Sequence, residues 1–315
     1  MKFPVFDLHC DTASALVLRR AAGAEDTLNK NTLHIALERA AILPGYGQCF
    51  ACFSTTEQQT EISGGTSPLV FFERQLDAIY SQVEANSNLI RLAFSGKDVQ
   101  LNYENGLMSA VMTIEGPAGF GYDPELLEDL YNVGFRITTL GWNEQNILTG
   151  SNVTGGGLTD QGKAFVKEAQ RLGMRIDVSH ISDEGFWDIM DITQAPVIAT
   201  HSNSRKIYDV RRNLTDEMFI AISKTGGVVG LNLYTGFVGA NPDLDTFCDH
   251  VFHFLELDPD GKHIALGGDL DGCEALAGGV AGIQDYPCIA DKLLSRGLNE
   301  QIVADIFWNN AVGVI

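Results

Sequence analysis

The sequence of 315 residues lacks any apolar run of about twenty residues, which argues against a membrane-spanning helix. Basic residues are scarce: 21 lysines and arginines stand against 41 aspartates and glutamates, giving a net charge of −20. So acidic a surface repels phosphate backbones, which argues against nucleic acid as a partner. The opening residues, MKFPVFDLHCDT, lack the apolar core and cleavage site of a signal peptide, so we expect a cytoplasmic protein.

Cysteine is also sparse, with six residues, and no second CxxC exists to complete a zinc site around Cys49 and Cys52. This pair lies in the apolar segment GQCFACF, which is typical of a buried strand. A reducing cytosol favours free thiols. We therefore expect both cysteines to be structural rather than redox-active or zinc-binding.

Eight apolar segments recur along the chain, and their continuous rather than alternating pattern is typical of parallel strands covered on both faces. They lie near residues 4–9, 48–53, 107–115, 134–140, 174–180, 195–201, 226–233 and 263–269. Helical patterns separate them, with starts predicted at Asp123, Thr159, Thr215 and Asn299. The alternation favours one (β/α)8 barrel domain over residues 1–315. A doubly wound open sheet is the alternative, although no GxGxxG follows an early strand.

Residues with metal-binding side chains come at the predicted carboxyl ends of these strands. In a barrel, such ends open on one rim, so residues remote in sequence surround one pocket. Each residue alone is more often structural, but three imidazoles and three carboxylates together suit Zn²⁺ and similar divalent ions. Six ligands exceed one tetrahedral site, and two ions sharing a bridging carboxylate fit better. The candidate ligands are His9, Asp11, Glu115, His180, His201 and Asp269.

The other four histidines are not expected at this site. His34, His250 and His253 lie in segments with a helical pattern. His263 starts a predicted strand at the opposite end of the barrel.

The sequence resembles the renal (membrane) dipeptidase family, a zinc-peptidase branch of the amidohydrolase barrels. The resemblance runs from FDLHCDT through IEGPAGFGYDPELLEDLYNVGFR and HSNSRKIYDVRRN to GGDLDG and the closing WNNAVGVI. Other amidohydrolases usually open with His-x-His and often bridge their metals with a modified Lys. Here the opening is His-x-Asp, and the bridging position holds Glu115.

The resemblance implies a cofactor of two Zn²⁺ ions, although other divalent ions suit the same donors. One ion would be held by His9, Asp11 and Asp269, the other by His180 and His201, with Glu115 as the bridge. It also implies that Arg212 receives the C-terminal carboxylate of a dipeptide, a task that suits the guanidinium fork. Tyr234 falls where a tyrosine lines the substrate pocket.

The implied reaction is hydrolysis of a dipeptide, with Glu115 and Asp269 as catalytic residues. A water shared by two zinc ions loses a proton near neutral pH, and the resulting hydroxide attacks the peptide carbonyl. Asp269 takes the proton and passes it to the leaving amine. The family further implies tolerance of a D-residue at the C-terminal side and the formation of homodimers.

One position departs from the family pattern. Where better-known members carry a His after the fourth strand, TTLGWNEQN places Trp142, followed by Asn143. An indole N–H donates a hydrogen bond but cannot carry a proton in catalysis. Stabilisation of the oxyanion would then depend on zinc alone or on Asn143. Trp142 either contacts a substrate side chain as a hydrophobic wall or packs beneath the loop.

Two alternative functions stay open at the level of the sequence. The first is another metal-dependent amidohydrolase or deaminase on the same barrel, acting on a cyclic amide or another amidated small molecule. The second is a metal-binding homologue that has lost peptidase activity at Trp142.

Overall fold

The computed structural model describes residues 2–315, whose strands form one parallel sheet that curls into a nearly closed barrel. The strands are β1 (Val5–Cys10), β2 (Tyr46–Phe53), β3 (Ile90–Leu92), β4 (Met108–Glu115), β5 (Phe135–Thr139), β6 (Arg175–Asp177), β7 (Val197–Ile198), β8 (Val229–Leu231) and β9 (Ile264–Leu266). Around the barrel the order is β1, β2, β4, β5, β6, β7, β8 and β9, and all pairings are parallel. A parallel bridge between Ala199 and Val229 joins the end of β7 to β8. The predicted (β/α)8 barrel is confirmed, and the open sheet is excluded.

Helices connect the strands and cover the outside of the barrel. They are α1 (Thr12–Ala21), α2 (Leu37–Ala40), α3 (Pro68–Ala85), α4 (Gly96–Glu104), α5 (Leu127–Val133), α6 (Asp160–Leu172), α7 (Asp183–Ile192), α8 (Asp216–Lys224), α9 (Thr235–Val238), α10 (Leu244–Leu257), α11 (Tyr286–Ser295), α12 (Glu300–Ala304) and α13 (Asn310–Val314). A π-helical segment, Asp305–Asn309, joins the last two. None of the helices in residues 2–315 has the length and apolar character needed to cross a bilayer.

The helix starts follow the sequence closely. The side chains of Thr159, Thr215 and Asn299 each accept a hydrogen bond from the first turn of α6, α8 and α12, as predicted. Asp123 instead caps a short 3₁₀ turn, Pro124–Leu126, and α5 begins only after it. The start at Asp123 was therefore right, but the helix type in its first turn was not.

Three strands are shorter than their apolar segments. β6, β7 and β9 each end three residues before a candidate ligand: His180, His201 and Asp269 respectively. His180 and Asp269 have φ values of 69° and 60°, in the left-handed region that no strand residue adopts. These three ligands therefore lie in loops just beyond the strands, whereas Glu115 is the last residue of β4 and His9 lies within β1.

Two further expectations were wrong. The sequence predicted eight strands, but the short β3 forms a ninth, outside the circle, by pairing with the start of β4. Only Ile90 of β3 is fully buried, which left little apolar signal. His34 is not helical: its main-chain N–H donates to Asp271 Oδ1 at 2.5 Å, and its Nδ1 accepts from Asp271 N at 2.8 Å. These bonds hold it in irregular backbone before α2.

The remaining histidines and the CxxC are where the sequence predicted them. His250 and His253 lie in α10, and His263 immediately precedes β9 at the amino end of the barrel. Cys49 and Cys52 are buried in β2 as free thiols, and burial raises the pKa of Cys49 well above its ordinary value. A buried thiol of this kind is unreactive.

Candidate metal centre

The six candidate ligands meet at the carboxyl-terminal mouth of the barrel, and each is at most 9% exposed. On one side, His9 Nε2 lies 3.3 Å from Asp11 Oδ2 and 4.0 Å from Asp269 Oδ1. Glu115 Oε2 also faces His9 Nε2, at 3.5 Å. The four side chains thus form one group around the imidazole of His9.

On the other side, Glu115 presents its second oxygen to two more imidazoles. Its Oε1 lies 3.1 Å from His180 Nε2 and 3.8 Å from His201 Nε2. The two histidine Nε2 atoms are 3.0 Å apart. Glu115 therefore stands between the two groups, with one oxygen toward each.

The outer hydrogen bond of His201 fixes its tautomer. Thr200 Oγ1 donates to Asp177 Oδ2 at 2.6 Å, so its proton is not free for His201. His201 Nδ1 lies 2.7 Å from the same hydroxyl oxygen and therefore acts as the donor. A neutral His201 then carries its lone pair on Nε2, which faces the centre.

His180 is fixed in the same way by Asn143. His180 Nδ1 donates to the amide oxygen of Asn143 at 2.9 Å, which leaves the lone pair on Nε2. Two imidazole lone pairs 3.0 Å apart, with Glu115 Oε1 beside them, form a cluster of acceptors without a donor. Such a cluster repels itself unless a cation lies among its members, so the donor set fits a divalent metal.

The charges around His9 also favour a bound cation. Burial alone would lower the pKa of His9, but Glu115, Asp11 and Asp269 together raise it to about 10. Burial lowers the pKa of His180, and the charges of Arg212 and His9 lower it further. The three carboxylates thus favour a positive charge at the first group. Either a proton on His9 or a divalent cation can supply that charge.

Two of the ligands have strained backbones. The left-handed φ values of His180 and Asp269 cost a side-chain-bearing residue about 1 kcal/mol or more each. Asn232 Nδ2 donates to Asp269 Oδ2 at 3.0 Å and restrains that carboxylate. Strain retained at two ligands is typical of a functional site.

A buried carboxylate that the sequence reading overlooked holds β1 in place. Asp7 accepts hydrogen bonds from His9 N (3.0 Å), Gln48 Nε2 (3.2 Å), Gly268 N (2.8 Å) and the Tyr286 hydroxyl (2.5 Å). It thereby ties the strand that carries His9 to the loop that carries Asp269. Burial raises the pKa of Asp7, although these donors oppose the shift.

The sequence reading also overlooked three other polar residues near the centre: Asp177, Asn232 and Asp271. Asp177 Oδ1 accepts from Ser179 N and Thr200 N, both at 2.9 Å, and so joins the two loops with histidine ligands. One sequence pattern would have indicated Asp7 and Asp177. Each is a carboxylate within an apolar strand, two or three residues before a candidate histidine.

A cavity of about 320 Å³ opens above the centre. It is lined by Asp11, Ser14, Leu18, Phe53, Ile62, Phe71, Glu115, Trp142, Asn143, His180, Tyr234, Phe237, Asp269, Asp271, Gly272, Cys273 and Glu274. Three of the predicted substrate-binding residues, Trp142, Asn143 and Tyr234, are therefore at the site. The Trp142 ring lies 5.2 Å from that of Phe53, edge to face, and 6.2 Å from that of His180.

Arg212 lies deeper, behind Phe237, and is only 4% exposed. Its guanidinium carbon is 5.5 Å from the centroid of the Phe237 ring, and its Nη1 donates to Ser202 Oγ at 2.7 Å. Its Nε and Nη2 have no acceptor among residues 2–315. Burial lowers the pKa of this guanidinium, while the charges of Asp269, Asp177 and Glu115 oppose the shift.

Comparison with known proteins identifies the family. Residues 1–315 match the family model described as membrane dipeptidase, peptidase family M19. The chain belongs to the membrane dipeptidase family. This confirms the resemblance inferred from the motifs.

The proteins to which this chain is similar in sequence differ in length. An uncharacterized dipeptidase of Schizosaccharomyces pombe is 34% identical over 227 residues, which cover 70% of this chain and 55% of that protein. A Klebsiella pneumoniae protein, uncharacterized and described by its position in the pqqA 5′ region, is 31% identical over 79% of this chain and 96% of its own length. This chain thus spans about half of the first relative and nearly all of the second.

Among solved structures, a metallo peptidase from Rhodobacter sphaeroides, liganded with a phosphinate mimic of the dipeptide L-Ala-D-Ala, has the same fold. The TM-score is 0.90 and the identity 23%, with 100% of this chain and 99% of that chain covered. The fold of that protein therefore extends along the whole of the present chain.

Proposed function

We propose that this chain is a metal-dependent dipeptidase that hydrolyses dipeptides, including those with a C-terminal D-residue, at a binuclear zinc centre in one (β/α)8 domain over residues 1–315. The observation that carries the proposal is the position of Glu115, with Oε2 3.5 Å from His9 and Oε1 3.1 Å from His180. A carboxylate with one oxygen toward each of two donor groups suits a pair of metals. Family membership supports the same reaction.

The donors divide into two sets. His9, Asp11 and Asp269 would hold one Zn²⁺, His180 and His201 the other, and Glu115 would bridge them. When bound, two zinc ions supply Lewis acidity that polarises the peptide carbonyl and brings the pKa of a bound water near neutrality. Tautomers that direct the Nε2 lone pairs of His180 and His201 inward prepare the second set for this role.

Asp269 is the residue that we assign to proton transfer. Its Oδ2 is held by Asn232 Nδ2 at 3.0 Å, while its Oδ1 faces His9. Burial raises the pKa of Asp269, which makes it a better proton acceptor than an exposed aspartate. It would take a proton from the attacking water and deliver it to the leaving amine.

Arg212 is suited to bind the free C-terminal carboxylate of the substrate. Two buried N–H groups without an acceptor, on Nε and Nη2, are costly in a folded protein. These two groups lie on one edge of the guanidinium, and a carboxylate accepts from both at once. A peptide extended beyond its second residue lacks a carboxylate at this point, so the site favours dipeptides.

The three remaining residues line the path of the substrate. Asn143 uses its amide oxygen to orient His180, which leaves its amide nitrogen available to the substrate carbonyl. Trp142 packs against Phe53 and serves as a wall rather than as a proton carrier. Tyr234 faces the cavity from the loop after β8.

The test is a hydrolysis assay with a panel of L-L and L-D dipeptides on enzyme that has been chelated and then reconstituted with zinc. The panel includes L-Ala-D-Ala, since a mimic of that dipeptide is bound in the Rhodobacter protein. We expect activity to disappear on chelation and to return at two zinc ions per chain, counted by elemental analysis. Efficient turnover of substrates without a carboxylate, with Arg212→Ala harmless, would favour an amidohydrolase or deaminase. Two bound metals without any turnover would favour an inactive homologue.

A further inference from the structure

The cavity has one strongly apolar side, which we call the apolar wall. It is formed by Leu18, Phe53, Ile62, Phe71 and Trp142. These side chains come from α1, the end of β2, the loop after it, the start of α3 and the loop after β5. Nothing in the metal chemistry requires an apolar surface here, so its role concerns the part of the substrate that does not react.

Three residues of the apolar wall, Phe53, Ile62 and Phe71, end or follow a strand on the side of the barrel opposite to the strand that precedes Arg212. Phe53 ends β2, the second strand around the barrel, and Arg212 follows β7, the sixth of eight. Strands four places apart are on opposite sides of an eight-stranded circle. A dipeptide whose carboxylate binds Arg212 therefore extends over the metal centre, and its N-terminal side chain reaches the apolar wall.

Phe53, in the apolar wall, is held in place by contacts within the protein. The side chain of Gln75, fully buried in α3, accepts from Phe53 N at 2.8 Å and donates to Phe53 O at 2.7 Å. The ring of Phe53 is held in turn edge to face against Trp142. A rigid apolar surface loses little entropy on binding, so contact with it contributes more fully to affinity.

The charges of the cavity select against an acidic side chain. Apart from the candidate metal ligands, the charged lining residues are Asp271 and Glu274, and the lining contains no Lys or Arg. Asp271 is buried with both oxygens occupied, by Thr12 Oγ1 at 2.6 Å and His34 N at 2.5 Å. A second carboxylate beside these groups would be repelled, whereas the free ammonium of a dipeptide is attracted.

We propose that the apolar wall selects dipeptides with a large apolar N-terminal residue, such as Leu or Phe, over those with Gly, and disfavours those with Asp. This inference rests on the proposed dipeptidase function and deepens it by defining the class of substrate. The wall determines specificity through contact with the side chain and takes no part in bond breaking.

The test compares kcat/KM for Leu-Ala, Phe-Ala, Gly-Ala and Asp-Ala with zinc-loaded enzyme. We expect Leu-Ala and Phe-Ala to exceed Gly-Ala by roughly tenfold or more, since burial of a few methylene groups discriminates by about that factor. Asp-Ala should fall at or below Gly-Ala. The variant Ile62→Ser, at a position 37% exposed, should reduce the Leu-to-Gly ratio several-fold. Ile42→Ser, at a position 64% exposed and outside the cavity, is the matched control and should keep the ratio.

A binding measurement separates recognition from turnover. Calorimetry with reduced-amide analogues of Leu-Ala and Gly-Ala, in which CH2–NH replaces the peptide bond, should give a dissociation constant roughly tenfold lower for the Leu compound. Equal kcat/KM and equal affinity for the Leu and Gly compounds would overturn the inference while leaving the dipeptidase function intact. Absence of hydrolysis of every dipeptide would overturn the proposed function itself, and the inference with it.

Discussion

Glu115 is central to the proposed binuclear centre, because a single carboxylate faces both groups of donors. Replacement by glutamine keeps the size of the side chain but removes the negative charge and leaves one strong acceptor instead of two. We expect Glu115→Gln to lower kcat by about 100-fold or more and to bind fewer than two zinc ions per chain. Steady-state kinetics and elemental analysis of the purified protein measure both effects.

The matched control for this substitution is Glu73→Gln, on the exposed face of α3. It makes the same chemical change away from the mouth and should keep both kcat and the zinc content. A Glu115→Gln protein with two zinc ions and normal turnover would show that this carboxylate does not bridge.

Arg212 and its neighbour Arg211 provide a natural pair for a second experiment. Arg212 is buried with two N–H groups that have no acceptor among residues 2–315, whereas Arg211 is exposed. Two charge-assisted hydrogen bonds contribute about 1.5–3 kcal/mol each, so Arg212→Met should raise KM for a dipeptide by roughly 100-fold or more, while Arg211→Met should leave it unchanged.

The substrate itself offers the control for Arg212. A dipeptide amide lacks the carboxylate, so the wild-type enzyme should discriminate strongly against it, and Arg212→Met should discriminate little. If Arg212→Met raised KM equally for the dipeptide and its amide, the arginine would not be the carboxylate receptor.

At the scale of elements, hydrogen bonds of Arg205 connect the loop after β7 to α7. Arg205 pairs through both terminal nitrogens, Nη1 and Nη2, with the carboxylate of Asp183 at the start of α7, at 2.7 and 2.8 Å. It also donates to the main-chain oxygens of Asn213 (2.9 Å) and Arg211 (3.0 Å). These four bonds fix the loop on both sides of Arg212.

The pairing predicts a pH-dependent stability. Hydrogen bonding to Arg205 lowers the pKa of Asp183 below its usual 3.8, so the pair stabilises the fold above that range and loses its effect as the pH falls through the lowered pKa. Because Asp183 is half-exposed, we expect Asp183→Asn to cost only about 1 kcal/mol at pH 7. Urea unfolding at pH 7 and at progressively lower pH measures this difference, which should shrink only below about pH 4.

Asp191→Asn, at an exposed position on the same helix, serves as the control for Asp183→Asn. It should unfold like the wild type throughout the pH range. A difference between Asp183→Asn and wild type that grew as the pH fell would contradict the assigned sign.

The elements also show what a sequence can and cannot reveal. Continuous apolar segments predicted the eight barrel strands, and the order of polar residues at their ends predicted the six side chains that meet at the mouth. Asp7 and Asn232 were not found because their partners lie up to 279 residues away, beyond the reach of any local pattern. The depth of Arg212 behind Phe237 likewise depends on how two loops pack together.

At the scale of the whole molecule, the barrel has different structures at its two ends. The carboxyl-terminal mouth holds the polar centre, whereas the inside and the opposite end are filled by apolar residues. These apolar residues include members of the barrel strands and, from the last helical segments, Trp308, Ala311 and Val314. The ring of Trp308 packs 6.1 Å from that of Phe6 and 5.2 Å from that of Tyr103. The C-terminal helical segments therefore cover the end of the barrel opposite the mouth.

This arrangement separates stability from chemistry and gives a final prediction. Trp308 is 5% exposed, so Trp308→Ala should lower the free energy of unfolding by about 3–5 kcal/mol, because it leaves a cavity beneath the barrel. Trp187→Ala, at a position 42% exposed on α7, removes the same side chain from the surface and should cost no more than about 0.5 kcal/mol. Urea unfolding followed by circular dichroism compares the two variants with the wild type. Since the candidate metal ligands lie at the opposite end, both folded variants should still bind the two zinc ions per chain that we propose. Equal destabilisation by the two substitutions would mean that the C-terminal segment does not support the barrel, and loss of zinc from folded Trp308→Ala would mean that the two ends are coupled.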